Sequence, residues 1–438
     1  MDISELYDLF TQHPFVTTDS RDCPLGSIFF ALRGTTFNGN RFARAALEKG
    51  CAYAVVDEPE FVDEDDMRFV LVNDCLQTLQ QLANRHRRTL GTRIIGITGT
   101  NGKTTTKELV SAILAERYNV LYTQGNFNNE IGVPKTLLRL TPEHQIAVIE
   151  MGASHPGDIK TLVEIVEPDF ALITNVGRAH LQGFGSFEGV MKTKGELYDF
   201  MATRPNAPVF INADNEYLMR MANERSLPIR IGYGQTERQD VSIRGEVLDS
   251  TPFLKFRWCH SASGNTWNEV QSQLIGTYNL DNMLAAITIG TYFDVTDPEI
   301  DHALENYTPS NNRSQLKITE HNKLIVDAYN ANPTSMNAAL LNFRDMKVEP
   351  KMAILGDMRE LGDVSTEEHQ KIVDLLPSLG IKTVWLVGEE FYKTRTDYPK
   401  FKHIEEVEAK LEAYRPENYY ILMKGSNGIK LFQLTELL

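Results

Sequence analysis

A strand-forming run, a glycine turn and a helix follow one another in RIIGITGTNGKTTTKELVSAIL, residues 93–114, and this junction constrains the chain more than any other stretch. RIIGIT is a short, continuous apolar run of the kind buried in a parallel sheet. The segment after the turn places Leu109, Val110, Ile113 and Leu114 on one helical face. Backbone N–H groups of such a turn at a helix N-terminus attract phosphate oxygens. Lys103 can neutralise β and γ charge and Thr104 can offer its hydroxyl to Mg²⁺. Thr100, Asn101, Gly102, Lys103, Thr104 and Thr105 are the candidate ATP contacts of this loop. The loop is nevertheless not a standard Walker A, because the glycine required five residues before Gly102 is Ile97.

From Arg93 onward, short apolar runs alternate with amphipathic segments, the pattern of a mainly parallel sheet with helices on both faces. RIIGIT, QIAVIEMG, FALITNV and PVFINAD are its expected strands. A polar, alternating stretch over 229–274 predicts antiparallel strands at the edge of that sheet. A second α/β series begins near Asn311 with KLIVDAY, KMAILGD, TVWLVG and YYILMKG. Before the loop, SIFFALRG and YAVVDEP suggest a small α/β domain, and the basic segment NRHRRTLGT (84–92) reads as a linker. The expected fold is therefore α/β in three domains: 1–90, 91–311 and 312–438. A length of 438 residues agrees, at about 150 residues per domain.

A net charge of −15 argues against general affinity for nucleic acid or an anionic membrane. Cys23, Cys51, Cys75 and Cys259 show no C-x-x-C spacing, which fits a reducing compartment. The acidic start MDISELYDLF lacks a signal-peptide pattern, and no segment reaches the ~18 apolar residues of a membrane span. A cytoplasmic protein is expected.

Several polar residues interrupt apolar patterns. Glu150 ends the run AVIE, and His180 follows ALITNV by a few residues. Both belong at the sheet edge where ligands bind, and with Thr104 they form a candidate metal site; exposed turn positions are the alternative. In FEGVMKTKGELYDFM (187–201), Phe187, Val190, Met191, Leu197, Tyr198 and Met201 form an apolar stripe with Lys194 in its middle. A lysine there is deprotonated, paired, modified, or snorkelling with its charge in water. GNFNNEIGVPKTLL, TYNLDNMLAAI, DAYNANPTSM and GDMRELGD are further polar clusters, each also explicable by capping and turn chemistry.

In order along the chain, GTNGKTT, GNFNNEIGVP, EMGASHPGDI, ITNVGRAHLQGFGS, TKGEL, NLDN, DAYNANPTSM, LGDMRELG and KGSN resemble the motifs of the Mur ligases, which carry a short phosphate loop. The resemblance implies an N-terminal UDP-sugar domain, a central ATP-binding domain and a Rossmann-like C-terminal domain for the incoming amine. It also implies that an ATP-activated carboxylate becomes an acyl phosphate, which the amine then attacks. The Asn-Ala-Asn-Pro and Gly-Asp-Met-x-Glu-Leu-Gly elements are most similar to the branch joining D-Ala-D-Ala to UDP-N-acetylmuramoyl-tripeptide, whose third residue is lysine or diaminopimelate.

By the same resemblance, Thr104 and Glu150 hold one of two Mg²⁺ ions and His180 belongs to the second. Lys194 matches a carbamylated lysine, made with CO₂, that serves the second ion; Lys103, His180 and Lys194 are the catalytic candidates. Asn279 and Asn282 match adenine-side contacts, and Arg313, Asp327 and Tyr329 match contacts to the γ-phosphate, ribose and base. Ser20, Arg21 and Arg33 match the uridine-nucleotide region and Asn126, Asn128 and Asn129 the muramoyl-peptide loop. Asn332, Asp357 and Lys424 match the D-Ala-D-Ala pocket. Tyr278 stands where the family often has His, and FNGNRF (37–42) replaces a more usual Asp-Gly-His. A monomer without nucleic-acid partners or membrane insertion is expected. The rival readings are a ligase adding a diamino acid or a glutamate, and a phosphate-loop switch or transport ATPase. The second rival leaves the asparagine-rich loop and Lys194 without purpose.

Overall fold

The structure, a computed structural model, describes residues 2–263, 266–309 and 313–438. The expected third-domain start at 312 lies outside them. The chain forms two compact units: 1–97 with 117–153 and 157–171, and 98–116 with 154–156 and 172–438.

In the first unit, β1 (Val16–Thr17), β2 (Ile28–Phe30), β3 (Tyr53–Val56) and β4 (Phe69–Leu71) pair in chain order, all parallel. Phe29, Phe30, Val55 and Val56 are buried, as the continuous apolar runs require. β5 (Arg93–Thr98) then pairs in parallel with β7 (Ile146–Glu150), which pairs with β6 (Val120–Tyr122).

The basic segment 84–92 is not a linker. Most of it forms the last turns of the helix Cys75–Leu90, ended by Gly91 in the left-handed region (φ 67°). Arg87 is buried because its guanidinium reaches the Glu167 carbonyl at 2.9 Å and the Asp169 carboxylate at 3.2 Å. Paired charges of this kind make a basic run compatible with the interior.

In the second unit, β8 (Phe170–Ile173), β9 (Val209–Asn212), β10 (Arg230–Gly234), β11 (Val241–Asp249), β12 (Lys255–His260) and β13 (Asn268–Gln271) lie in the order 13-12-11-10-9-8. The antiparallel expectation for 229–274 holds for β11 to β13. It fails for β10, which pairs in parallel with both β9 and β11.

The same unit carries a six-stranded sheet in the order β14 (Gln315–Ile318), β15 (Lys323–Asp327), β19 (Tyr420–Lys424), β16 (Lys351–Gly356), β17 (Thr383–Val387) and β18 (Lys400–Phe401). Only β14 is antiparallel. Alternate residues bury on opposite faces: Ala353, Leu355, Val384 and Leu386 in one core, Met352, Ile354, Trp385 and Val387 in the other. Both faces are covered, as in Rossmann-like sheets. Among the described residues no helix is long and apolar enough to cross a membrane.

Candidate functional site

The phosphate loop belongs to the second unit, and the segment after β8 shapes it. Asn175 binds the loop through both ends of its side chain: Oδ1 accepts from Asn101 N (2.9 Å) and Nδ2 donates to Asn101 O (3.0 Å). Thr100 N donates to Asn175 O (2.9 Å), and Thr174 Oγ1 donates to Asn101 O (2.6 Å). Gly102 sits at φ 77°, and a Cβ there would come 2.5 Å from Asn282 Oδ1, so glycine is required by both backbone and space. Lys103 opens the helix Lys103–Ala115 and donates to Gly99 O (2.9 Å) and Thr100 O (3.0 Å), which folds its ammonium over the loop. Thr104 is buried one residue later and Thr105 half-buried.

Asn279 and Asn282 open the helix Asn279–Tyr292, but their amides face protein. Asn279 Nδ2 donates to Ile275 O and Asn282 Nδ2 to Asn279 Oδ1, both at 2.8 Å; Asn282 Oδ1 accepts from Thr106 Oγ1 at 3.1 Å. They brace the phosphate-loop helix. Tyr278 donates to or accepts from Ser314 Oγ at 2.8 Å, and burial pushes its phenol upward.

The six-stranded sheet reaches the same loop. Asn332, the N-cap of the helix Pro333–Asp345, accepts from Ser335 N (2.9 Å) and donates from Nδ2 to Asn101 Oδ1 (2.7 Å). Arg313 lies with its guanidinium carbon 3.9 Å from the Tyr329 ring centroid. Asp327 and Lys424 end neighbouring strands and form a pair at 2.5 Å, with the lysine 2% exposed. Asp357 follows β16, and its two oxygens accept from Glu390 N and Phe391 N at 2.9 Å. Burial raises its carboxyl.

Of the expected D-Ala-D-Ala set, Asn332 reaches the phosphate loop, Asp357 binds a helix start and Lys424 pairs with Asp327. Asp357 lines a cleft of about 1000 Å³ at the carboxyl ends of the parallel strands, together with Arg359, Glu360, Lys393, His403 and Lys430.

His180 caps the short helix Leu181–Phe184 in the left-handed region (φ 49°). Its Nδ1 lies 2.5 Å from Glu360 Oε2, close but not aligned as a hydrogen bond. The contact with His180 lowers the Glu360 carboxyl. Lys194 is 2% exposed in the helix Phe187–Ala202, with its Nζ 5.7 Å from the Phe184 ring centroid, so it does not snorkel.

In the first unit, Glu150 ends β7 and is 1% exposed. Oε1 accepts from Asn128 Nδ2 at 2.8 Å and Glu150 N donates to Thr123 Oγ1 at 3.0 Å, while Oε2 has no hydrogen-bond partner. A buried carboxylate oxygen left open this way suits a hard cation, so the residue fits Mg²⁺. Among the described residues no group of three or more His, Cys, Asp or Glu comes together.

Asn129 caps a helix start through Gly132 N (2.9 Å), and Asn126 is exposed. Ser20 O accepts from Lys49 Nζ (2.6 Å). Arg21 is exposed and paired with Asp19, whose carboxyl it holds well below the usual range. Arg33 lies 3.3 Å from Asp57 and 3.4 Å from Glu58.

Sequence reasoning missed Asn175, Thr174 and Glu360. Asn175 and Thr174 stand in ITNVG directly after an apolar strand, where loop-facing polar residues collect, and within one of the family motifs.

A phosphate loop on one largely parallel sheet, joined within one unit to a Rossmann-like sheet, defines the chain as a nucleotide-dependent α/β enzyme. Three family models match: the Mur ligase family catalytic domain at 13–87, the Mur ligase middle domain at 97–290 and the Mur ligase glutamate ligase domain at 312–427. Curated relatives carry the name UDP-N-acetylmuramoyl-tripeptide--D-alanyl-D-alanine ligase. That of Bacillus subtilis is 33% identical, over 96% of this chain and 92% of its own, and that of Escherichia coli is 33% identical, over 97% and 93%. A crystal structure of MurF from Acinetobacter baumannii matches with a TM-score of 0.86 and 29% identity, over 96% of this chain and 92% of that one. The chain belongs to the Mur ligase family.

Proposed function

We propose that this chain is the ATP-dependent ligase that joins D-Ala-D-Ala to UDP-N-acetylmuramoyl-tripeptide, forming the UDP-MurNAc-pentapeptide precursor of peptidoglycan. The carrying observation is its likeness, across 96% of its length, to curated ligases named for that reaction. The terminal carboxylate of the tripeptide attacks the γ-phosphorus of ATP, a P–O bond forms, the bond to the β-phosphate oxygen breaks and ADP leaves. The amine of D-Ala-D-Ala then adds to the acyl carbon, and the tetrahedral adduct collapses with loss of phosphate.

A carboxylate approaching a triphosphate meets strong repulsion, so positive charge and in-line placement are the main catalytic needs. Lys103, folded over the loop, is placed to meet the phosphates once they displace it from Gly99 O and Thr100 O. When bound, Mg²⁺ supplies further positive charge; Thr104 and Glu150 would hold one ion, and His180 with a carbamate on Lys194 the second. Burial of Lys194 supports the carbamate, since burial favours the neutral amine and CO₂ adds to that form with loss of a proton.

Residues 1–90 would bind the UDP-sugar through Ser20, Arg21 and Arg33, residues 91–311 ATP and residues 312–438 the amine. Arg313, Asp327 and Tyr329 would meet the nucleotide from the third domain. The cleft is lined by both signs of charge, Arg359 and Lys430 beside Glu360, Asp363 and Glu405, which supports a substrate carrying both an ammonium and a carboxylate. The four free cysteines support a reducing, cytoplasmic setting, and the chain would act there as a monomer. Adding hydroxylamine to protein, ATP and tripeptide tests the activation step: the tripeptide hydroxamate is expected by mass spectrometry, and ADP release without any hydroxamate would refute the acyl phosphate.

A further inference from the structure

Glu360 is not a residue that the ligase reading uses, yet it stands against His180 in a shaped contact between two loops. Both residues hold left-handed backbone, φ 49° at His180 and φ 67° at Glu360, which only Gly adopts without cost; each non-glycine residue there costs roughly 1 kcal/mol or more. Nδ1 of His180 and Oε2 of Glu360 lie 2.5 Å apart. The backbones meet as well: Gln182 N approaches Glu360 O at 3.4 Å, and Gly362, at φ 58°, leaves no room for a side chain without crowding Gln182, since a Cβ would sit 3.3 Å from Gln182 Cβ.

The same loop is tied to the Rossmann-like sheet on its other side. Arg178 N donates to Thr334 Oγ1 at 3.2 Å, and the Arg178 guanidinium meets the nearly buried Glu368 at 3.5 Å. On the His180 side, the edge of the ring faces Phe184, over which Lys194 lies. Glu360 therefore belongs to the wall of the 1000 Å³ cleft and to the surroundings of a candidate metal ligand at once.

We propose that Glu360 is a positioning residue for His180, and that it makes divalent-cation binding and docking of the 358–364 loop on the 178–184 loop interdependent. A carboxylate beside a ligating imidazole orients the ring and raises its basicity, and removing such a partner typically weakens metal binding by about 10- to 100-fold. Because Glu360 comes from a loop that follows a strand of a different sheet, it makes this contribution only while the two loops are docked. By linkage, the cation then favours docking by the same factor that docking favours the cation. The inference rests on the reading of His180 as a metal residue in the ligase.

The test uses the full chain with a non-hydrolysable ATP analogue and Mn²⁺ as the probe. Mn²⁺ binding is followed by electron paramagnetic resonance, and amide hydrogen exchange is followed over 178–184 and 358–364. Glu360→Gln keeps the side-chain volume at an exposed position; it is expected to weaken Mn²⁺ binding about 10-fold. It should also abolish the Mn²⁺-dependent protection of both loops, leaving analogue affinity without Mn²⁺ unchanged. Mn²⁺ affinity within twofold of wild type, or unchanged Mn²⁺-dependent protection, overturns the proposal alone. Failure of the wild-type chain to bind Mn²⁺ overturns it together with the metal-dependent ligase reading.

Discussion

Replacing Asn175 should damage nucleotide binding although the residue lies outside the phosphate loop. Its side chain holds both backbone polar atoms of Asn101, at 2.9 and 3.0 Å, while its carbonyl takes Thr100 N. Asn175→Ala removes the two side-chain bonds and keeps the backbone one. At a net 0.5–1.5 kcal/mol each, the loss is about 1–3 kcal/mol of loop order. Thr174 Oγ1 still holds Asn101 O, so the lower half of that range is expected, an ATP affinity about 10-fold weaker.

Asn175→Asp discriminates further. It preserves the acceptor for Asn101 N, but turns the donor into an oxygen facing Asn101 O and adds negative charge beside the triphosphate, so it should bind ATP more weakly than the alanine variant. Affinities come from calorimetric titration, with unperturbed thermal unfolding as the control for folding. If both variants bind ATP within twofold of wild type, or aspartate binds better than alanine, the bracing argument is wrong.

Lys194→Ala should abolish ligation while ATP affinity stays within about twofold of wild type, because the phosphate loop is held by Asn175, Thr174 and Asn332; wild-type turnover would rule out the carbamate. Glu150→Gln keeps the acceptor for Asn128 and removes a buried charge, so thermal stability should hold or rise while the Mg²⁺ concentration for half-maximal activity climbs about 10-fold, and an unchanged requirement would contradict the metal role. Burial pushes the Asp301 carboxyl up from 3.8 to about 6 despite the 2.7 Å bond from Trp258 Nε1. A raised carboxyl favours the folded state most below its unfolded pKa, and this advantage is lost as pH rises through about 6. Asp301→Asn should therefore stabilise the chain by about 1 kcal/mol near pH 8, a figure reduced for the group's partial exposure, with the gain vanishing by about pH 4 in denaturant titrations.

Strands of the parallel sheets were legible because burial on both faces writes itself as unbroken apolar runs such as RIIGIT and KMAILG. β10 was misassigned since RIGYG carries too little apolar signal to reveal its parallel partners. The basic helix end at 84–90 looked like a linker because the carboxylates that neutralise Arg87 lie some eighty residues away. Lys194 was legible from its place in a stripe, whereas the polar residues at strand ends were not ranked by pattern alone. Asn332 and Asn101 meet across 231 positions, and Glu360 meets His180 across 180, so only the folded chain shows which asparagine braces the loop and which glutamate reaches the histidine.

The central claim is that ATP activates a peptide carboxylate for a dipeptide amine. Purified chain given ATP, Mg²⁺ and UDP-N-acetylmuramoyl-tripeptide, with either D-Ala-D-Ala or single amino acids, tests it through the mass of the product. The pentapeptide with equimolar ADP is expected for D-Ala-D-Ala and no ligated product for single amino acids; ligation of a single amino acid without the dipeptide product would contradict it.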